Sequence, residues 1–250
     1  MTRTLRVLDV LCMFSDGVTS LTAQQITERL GAARATAYRC IDDLEGYGLV
    51  ERSTDGNYFL GPMIVELDRR IRQSDPLLHA AEPVMQTLAG QVGGVVLLCR
   101  LHERKVLCVH QCVGAKAPPN VSYERGRAMP LYRGATSRAI LAHLDRKRID
   151  ALVRDDPRGL DQAGLPTDVA ALVAQLAELR KQAVFNAVAE VDKDAAGWAV
   201  PLHHGKQLLG SLSVVLDRTQ IGGREGVIAD RLKRAGLRIE GRLEGSRTAP

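Results

Sequence analysis

An α+β protein in two parts is predicted by three observations along this 250-residue chain. Residues 19–61 pattern as a helix, a glycine turn, a second helix and a short hairpin. At Gly93-Gly94 the apolar spacing changes from helical to alternating. Beyond that point strand-like pairs flanked by amphipathic helices specify a second domain with a central antiparallel sheet.

The elements follow in chain order. Residues 5–14 give an amphipathic helix with Leu5, Leu8, Leu11 and Cys12 as its apolar stripe. Thr22 is an N-cap and Gln25, three residues on, completes a capping box. Ala23, Ile26 and Leu30 form the inner stripe of that helix, and Gly31 ends it. In the next helix Ala37, Ile41 and Leu44 share one face, with Thr36, Arg39 and Asp43 opposite and Arg34 at the entrance. Leu49 to Arg52 and Tyr58 to Leu60 are strands joined through Asp55-Gly56. Together these make a winged helix-turn-helix, whose second helix has a packed inner face and a short outer face shaped for a DNA major groove. The competing reading is a three-helix packing unit with a hairpin that serves protein contacts.

Residues 62–74 read as a helix leading out of the wing, and Asp75-Pro76 as a break before a helix reaching about Gln91. Val95 to Leu101 and Lys105 to Cys112 are strands, and Ala117 to Asn120 is loop. Gly134 to His143 and Thr167 to Gln182 are helices, the latter with Thr167 as candidate cap. Val184 to Val191, Trp198 to Leu202 and Gln207 to Leu216 are strands, the last two joined by His203-His204-Gly205-Lys206. A final helix spans Arg224 to about Glu244.

Charge and cysteine content exclude several classes. No apolar run reaches membrane-span length, and the charged N-terminal segment does not read as a signal peptide, so a cytoplasmic protein is expected. Five cysteines, an odd number at low density, fit a reducing compartment. Residues 1–61 carry six arginines and no lysine against eight acids, a net of −2. The DNA-binding case therefore rests on where Arg34, Arg39 and Arg52 sit. Residues 125–148 hold six arginines and one lysine against one aspartate, a net of +6. That excess marks either an anionic small-molecule partner or a solvated surface.

The residues Arg34-Ala35-Thr36-Ala37-Tyr38-Arg39, then Leu44, Gly48-Leu49-Val50-Glu51-Arg52 and Tyr58-Phe59-Leu60-Gly61, resemble the N-terminal domain of the isocitrate lyase regulator (IclR) family of bacterial transcription factors. Ala35 stands where a serine is usual and Tyr38 where a histidine is common. Later landmarks extend the resemblance over the whole chain: Gly126, Met129-Pro130-Leu131, Ala139-Ile140-Leu141-Ala142, Gly197, Val200-Pro201-Leu202 and Leu212-Ser213-Val214.

The resemblance implies a DNA-binding domain at 1–61, a linker helix at 62–75 and a GAF-like α/β effector-binding and oligomerisation domain at 76–250. It implies a homodimer, or a dimer of dimers, on a pseudo-palindromic operator. Arg34, Thr36, Tyr38, Arg39 and Arg52 would face double-stranded DNA. It also implies a small organic carboxylate as effector, held by backbone amides at the helix start formed by Gly134, Ala135, Thr136 and Ser137. Arg133, just before them, either clamps that carboxylate or points to solvent. Glu190, Val200 and Ser213 are the matching pocket positions, with Trp198 beside them. The apolar residues at Val200 and Val215 predict an acid larger and more apolar than a two-carbon one.

Cys108, His110 and Cys112 alternate along a strand, which raises a metal site, but one strand face cannot supply four tetrahedral ligands, and no metal or cofactor is expected. No Gly-x-Ser-x-Gly elbow, phosphate loop or His-Glu-x-x-His is present. The sequence thus reads as a ligand-responsive transcription factor and not an enzyme. Its rivals are a small-molecule enzyme with an assembly-only winged helix and a DNA-binding protein with an empty second domain.

Overall fold

A computed structural model describes residues 3–15 and 17–245. The chain divides into two compact units, Met1–Asp75 and Pro76–Pro250.

The first unit starts with α1 (Arg3–Cys12), α2 (Ala23–Leu30) and α3 (Arg34–Gly46), followed by β1 (Val50–Arg52), β2 (Tyr58–Leu60) and α4 (Met63–Ser74). Thr22 Oγ1 accepts from the Gln25 amide at 3.1 Å while Gln25 Oε1 accepts from the Thr22 amide at 2.8 Å, so the capping box is complete. Gly31 ends α2 at φ 58°, a conformation that glycine adopts without steric cost. Ile26, Ala37, Ile41 and Leu44 are buried together with Val10, Leu21, Cys40, Val50 and Tyr58. On α1 the stripe expected from Leu5, Leu8, Leu11 and Cys12 is corrected. Val10 is fully buried with Val7, Leu11 and Phe14 beside it, whereas Leu8 is 52% exposed and Cys12 is exposed. The 7, 10, 11, 14 spacing is the better 3.6-residue stripe; the side chain of Leu5 lies outside the described residues. Leu21 exchanges two backbone hydrogen bonds with Tyr58, at 3.0 and 2.8 Å, and so pins the wing to the start of the helix-turn-helix.

The second unit is built on one sheet. Its elements are α5 (Pro76–Val92), β3 (Val95–His102), β4 (Lys105–Val113), β5 (Ala128–Pro130), α6 (Gly134–Leu141), α7 (Arg146–Asp155), α8 (Pro157–Gln162) and α9 (Val169–Leu179). They continue with β6 (Phe185–Val188), β7 (Ala195–His204), β8 (Gln207–Asp217) and α10 (Glu225–Gly245). The sheet order is β5-β4-β3-β8-β7-β6, antiparallel throughout. Away from two register shifts, in β3–β4 and β7–β8, residues alternate between its faces. Val96, Leu98, Ala196, Trp198, Val200, Leu202, Leu212, Val214 and Leu216 pack with α5 and α10 on one face. Val95, Leu97, Cys99 and Val215 pack with α6, α7, α8 and α9 on the other.

Three features depart from the sequence expectation. β5, α7 and α8 fill a stretch that gave no clear period, although Asp145 caps α7 by accepting from the Arg148 amide at 2.8 Å. The cap of α9 is Asp168, accepting from Ala171 at 2.8 Å, and not Thr167. The β3–β4 register shifts so that Leu98 pairs with His110 but Cys99 with Cys108, leaving Val109 as a bulge. Cys108 therefore faces the α6 side while His110 and Cys112 lie toward α5, and the three do not share a face.

Candidate functional site

In the first unit, α3 presents its outer face from an anchored inner one. Arg34 and Arg39 are exposed, Thr36 and Tyr38 half-buried, and Arg52 is exposed on β1. Arg34 stacks over the Tyr38 ring, 5.4 Å from its centroid, and donates to the Tyr38 hydroxyl at 3.3 Å. Arg52 lies 5.8 Å from the Tyr58 ring. Stacking on an aromatic face narrows the conformations of a guanidinium without neutralising it. Arg34 and Tyr38 also line a shallow hollow with Gln24, Thr27 and Glu28 of α2. Thr36, Arg39 and Arg52 do not border that hollow.

In the second unit a small open cleft, with about 30 Å³ free to a water-sized group, lies at the start of α6. Tyr123, Gly134, Ala135, Thr136, Ala187, Glu190, Val191, Asp192, Ala195, Ala196, Gly197 and Val215 line it. Its floor is mostly small and apolar, and its polar rim is made of backbone amides and carboxylates. The α6 amides come first in their helix and have no preceding turn to donate to, so they concentrate positive potential. Arg133 precedes the helix with extended backbone and no capping side chain. Gly134 turns the chain at φ 80°, and a Cβ there would fall 2.8 Å from Val191 Cγ2.

The hydrogen bonds assign different jobs to the expected residues. Glu190 Oε2 accepts from the Gly134 amide at 3.3 Å, and both Glu190 oxygens accept from the Arg138 guanidinium at 2.5 Å. Arg133 is exposed and donates to the Glu190 backbone carbonyl; it does not line the cleft. Ser137 is fully buried, donates to the Pro130 carbonyl at 2.7 Å and lies 2.6 Å from the Tyr123 hydroxyl. It supports the wall from behind. Tyr123 also donates to the Arg133 carbonyl at 3.0 Å, and burial pushes its phenol pKa far up, so it stays protonated. Asp192 accepts from the amide and hydroxyl of Ser122, which ties residues 189–195 to the loop before β5.

Trp198 and Val200 are corrected. Both point into the α5–α10 core, on the sheet face opposite the cleft. The reason is parity: Gly197 faces the cleft, so residues one and three positions on face away. Ser213 lies on the cleft side of β8 with Val215, but it is fully buried and deeper than the lining residues. Arg138, Tyr123 and Asp192 escaped the sequence reading. Arg138 follows Gly134 by one helical turn, which is the one local signal that placed it near the amides. Among the described residues no group of three or more His, Cys, Asp or Glu is placed to hold a metal ion. No described helix is long and apolar enough to cross a membrane.

Comparison with known proteins agrees with these features. Residues 4–54 match the IclR helix-turn-helix domain and residues 70–240 match the bacterial transcriptional regulator IclR C-terminal domain. The chain is 24% identical over 226 residues to the HTH-type transcriptional regulator KipR of Bacillus subtilis, covering 90% of each protein. A crystal structure of an IclR-type protein from Silicibacter sp. TM1040 superposes with a TM-score of 0.80 at 24% identity, over 97% of this chain and 96% of that one. An IclR homologue from Microbacterium hydrocarbonoxydans, solved with 4-hydroxybenzoate, superposes at 0.78 with 24% identity, over 98% and 100% of the two chains. With both of its units matched in order, the chain belongs to the IclR family of bacterial transcriptional regulators.

Proposed function

We propose that this regulator reads an operator half-site with α3 and the wing and senses a small aromatic carboxylate in the cleft at the α6 N-terminus. The observation that carries the effector reading is the set of first-turn amides beside an apolar floor at Ala187, Ala195, Ala196, Gly197 and Val215, with Arg138 held behind them by Glu190. Amides and a guanidinium suit a carboxylate, and the small apolar residues offer an apolar ligand a matching surface. The homologue holding 4-hydroxybenzoate supports that ligand class. The second unit acts as a sensor without catalysis. Arg34 and Arg39 make the base or phosphate contacts, with Thr36, Tyr38 and Arg52 at the same duplex.

A single winged helix makes few contacts, so a symmetric dimer or dimer of dimers on a pseudo-palindrome is part of the proposal. Val65 and Ile71 on α4 are 71% and 61% exposed, which supports a role for this linker helix in assembly. Residues 1–61, 62–75 and 76–250 would then serve as reader, linker and sensor in the cytoplasm, repressing or activating according to where the operator lies. Ligand changes occupancy by binding one arrangement of the paired DNA heads better than the other. Fluorescence anisotropy tests the proposal. The full-length protein is titrated into labelled DNA from upstream of its own gene and into a scrambled duplex, near physiological salt, with and without 4-hydroxybenzoate. Selective binding that shifts with the acid is expected; equal weak binding to both duplexes, unmoved by the acid, would overturn it.

A further inference from the structure

The anion-binding end of the cleft already holds an anion, supplied by the protein. The Glu190 carboxylate sits on the Gly134 amide and chelates the Arg138 guanidinium, with the two side chains about one-third exposed (32% and 33%). Arg133 donates only to the Glu190 backbone carbonyl, outside the cleft, and Asp192 is engaged by Ser122, so the guanidinium held at this carboxylate is that of Arg138. An incoming carboxylate therefore finds the Arg138 guanidinium already paired while Glu190 stays. Two carboxylates on one amide and one guanidinium repel each other, so one must leave.

Two further observations bear on the same spot. Ser213, fully buried on the α6-covered face of the sheet, has a hydroxyl with no hydrogen-bond partner among the described residues. Its neighbour on that face, Ser211, donates to the Thr136 carbonyl at 3.2 Å. A hydroxyl buried under the cleft-facing side of β8 is thus left unsatisfied by the described residues. In addition, the strap carrying Glu190 turns at Ala189 with φ 57°, a left-handed conformation that a residue with a Cβ adopts only when its surroundings hold it there. The Ala189 amide donates to the Ala195 carbonyl at 2.9 Å, and Glu190 and Asp192 supply the other fastenings.

We propose that Glu190 is an exchangeable internal anion. The effector's carboxylate takes its place on the Gly134 amide and on Arg138, which makes Arg138 the charge that selects acids over neutral analogues. Release of Glu190 frees one fastening of the 189–195 strap and converts ligand entry into a change of loop conformation. The proposal rests on the reading of the cleft as the effector site.

The test is isothermal titration calorimetry on the full-length protein with 4-hydroxybenzoate and its uncharged analogue 4-hydroxybenzamide. Glu190→Gln should bind the acid about tenfold or more tighter than the unmodified protein, with little change for the amide. Glu190→Asp keeps the charge but withdraws it by one methylene from Gly134, and should fall between the two. Arg138→Gln should weaken the acid by about tenfold and leave the amide unaffected. Thermal melts of each variant establish that it is folded. If the unmodified protein binds the acid and folded Glu190→Gln binds it equally or more weakly, exchange is overturned while the cleft reading stands. If no folded version binds the acid, the cleft reading fails and exchange fails with it.

Discussion

Gly61 carries its Cα hard against the carbonyl of Gly48: a Cβ at Gly61 would fall 2.3 Å from that oxygen and 2.8 Å from its carbon. The Gly61 amide donates to Leu49 at 2.8 Å and the Met63 amide to Gly48 at 3.0 Å. The chain leaving the wing thus crosses the chain leaving α3 at backbone contact distance, and this crossing fixes where the wing hangs relative to α3.

Gly61→Ala should therefore destabilise the first unit by roughly 1–3 kcal/mol, the usual cost of forcing extra atoms into a packed site. Chemical denaturation followed by circular dichroism would show an early transition for this variant. Its absence would mean that the crossing relaxes without loss.

Arg39→Ala should lower affinity for the specific duplex by about 1–3 kcal/mol, roughly 5- to 150-fold, while the melting temperature stays unchanged because Arg39 is exposed. Arg34→Ala should cost a similar amount, and Tyr38→Phe less, since the phenyl ring still supports the guanidinium. Anisotropy titrations at two salt concentrations separate the contact types, because losing a phosphate contact also flattens the salt dependence.

Gly197→Ala should fold normally, within about 0.5 kcal/mol of the original stability. A Cβ there meets only Val214 O at 3.8 Å and Ala135 Cβ at 3.9 Å, ordinary contact distances. The new methyl stands inside the cleft, so affinity for an aromatic acid should fall while the DNA affinity of the ligand-free protein holds. Calorimetry with 4-hydroxybenzoate that finds unchanged affinity would place the ring elsewhere.

His143 gives stability an acid limb. Burial holds its pKa below the ordinary imidazole value, against the Ala139 carbonyl to which Nδ1 donates at 2.9 Å; neighbouring His203 and Arg180 push the same way as burial. The native state prefers the neutral ring, so this contribution is complete above the unfolded-state pKa of about 6.5 and is lost as pH falls from there through the lower native-state pKa. The melting temperature should decline on acidification across that range, and less steeply in His143→Gln. Equal slopes in the two proteins would assign the decline to other groups.

Local chemistry made much of the first unit legible. The Thr22–Gln25 capping box, the Ala37, Ile41 and Leu44 stripe and the Asp55-Gly56 turn each join residues within one or two turns of chain. The α1 stripe was misread by one residue because a short helix with many apolar positions offers two neighbouring faces, and only packing against α3 selects Val10.

The sequence by itself determined the two-part order, the helix-turn-helix with its wing and the antiparallel character of the second domain. All of these follow from hydrophobic period, caps and turn residues, which act over a few positions. Tertiary structure alone decided which strand face each residue takes and which distant groups meet. One bulged residue, Val109, sends Cys108 away from His110, and one step of parity sends Trp198 away from Gly197. Arg138 and Glu190 lie 52 positions apart, and no local pattern links them. Their contact exists because α6 and the strap after β6 cover the same end of the sheet, so this ion pair belongs to the fold and not to either segment.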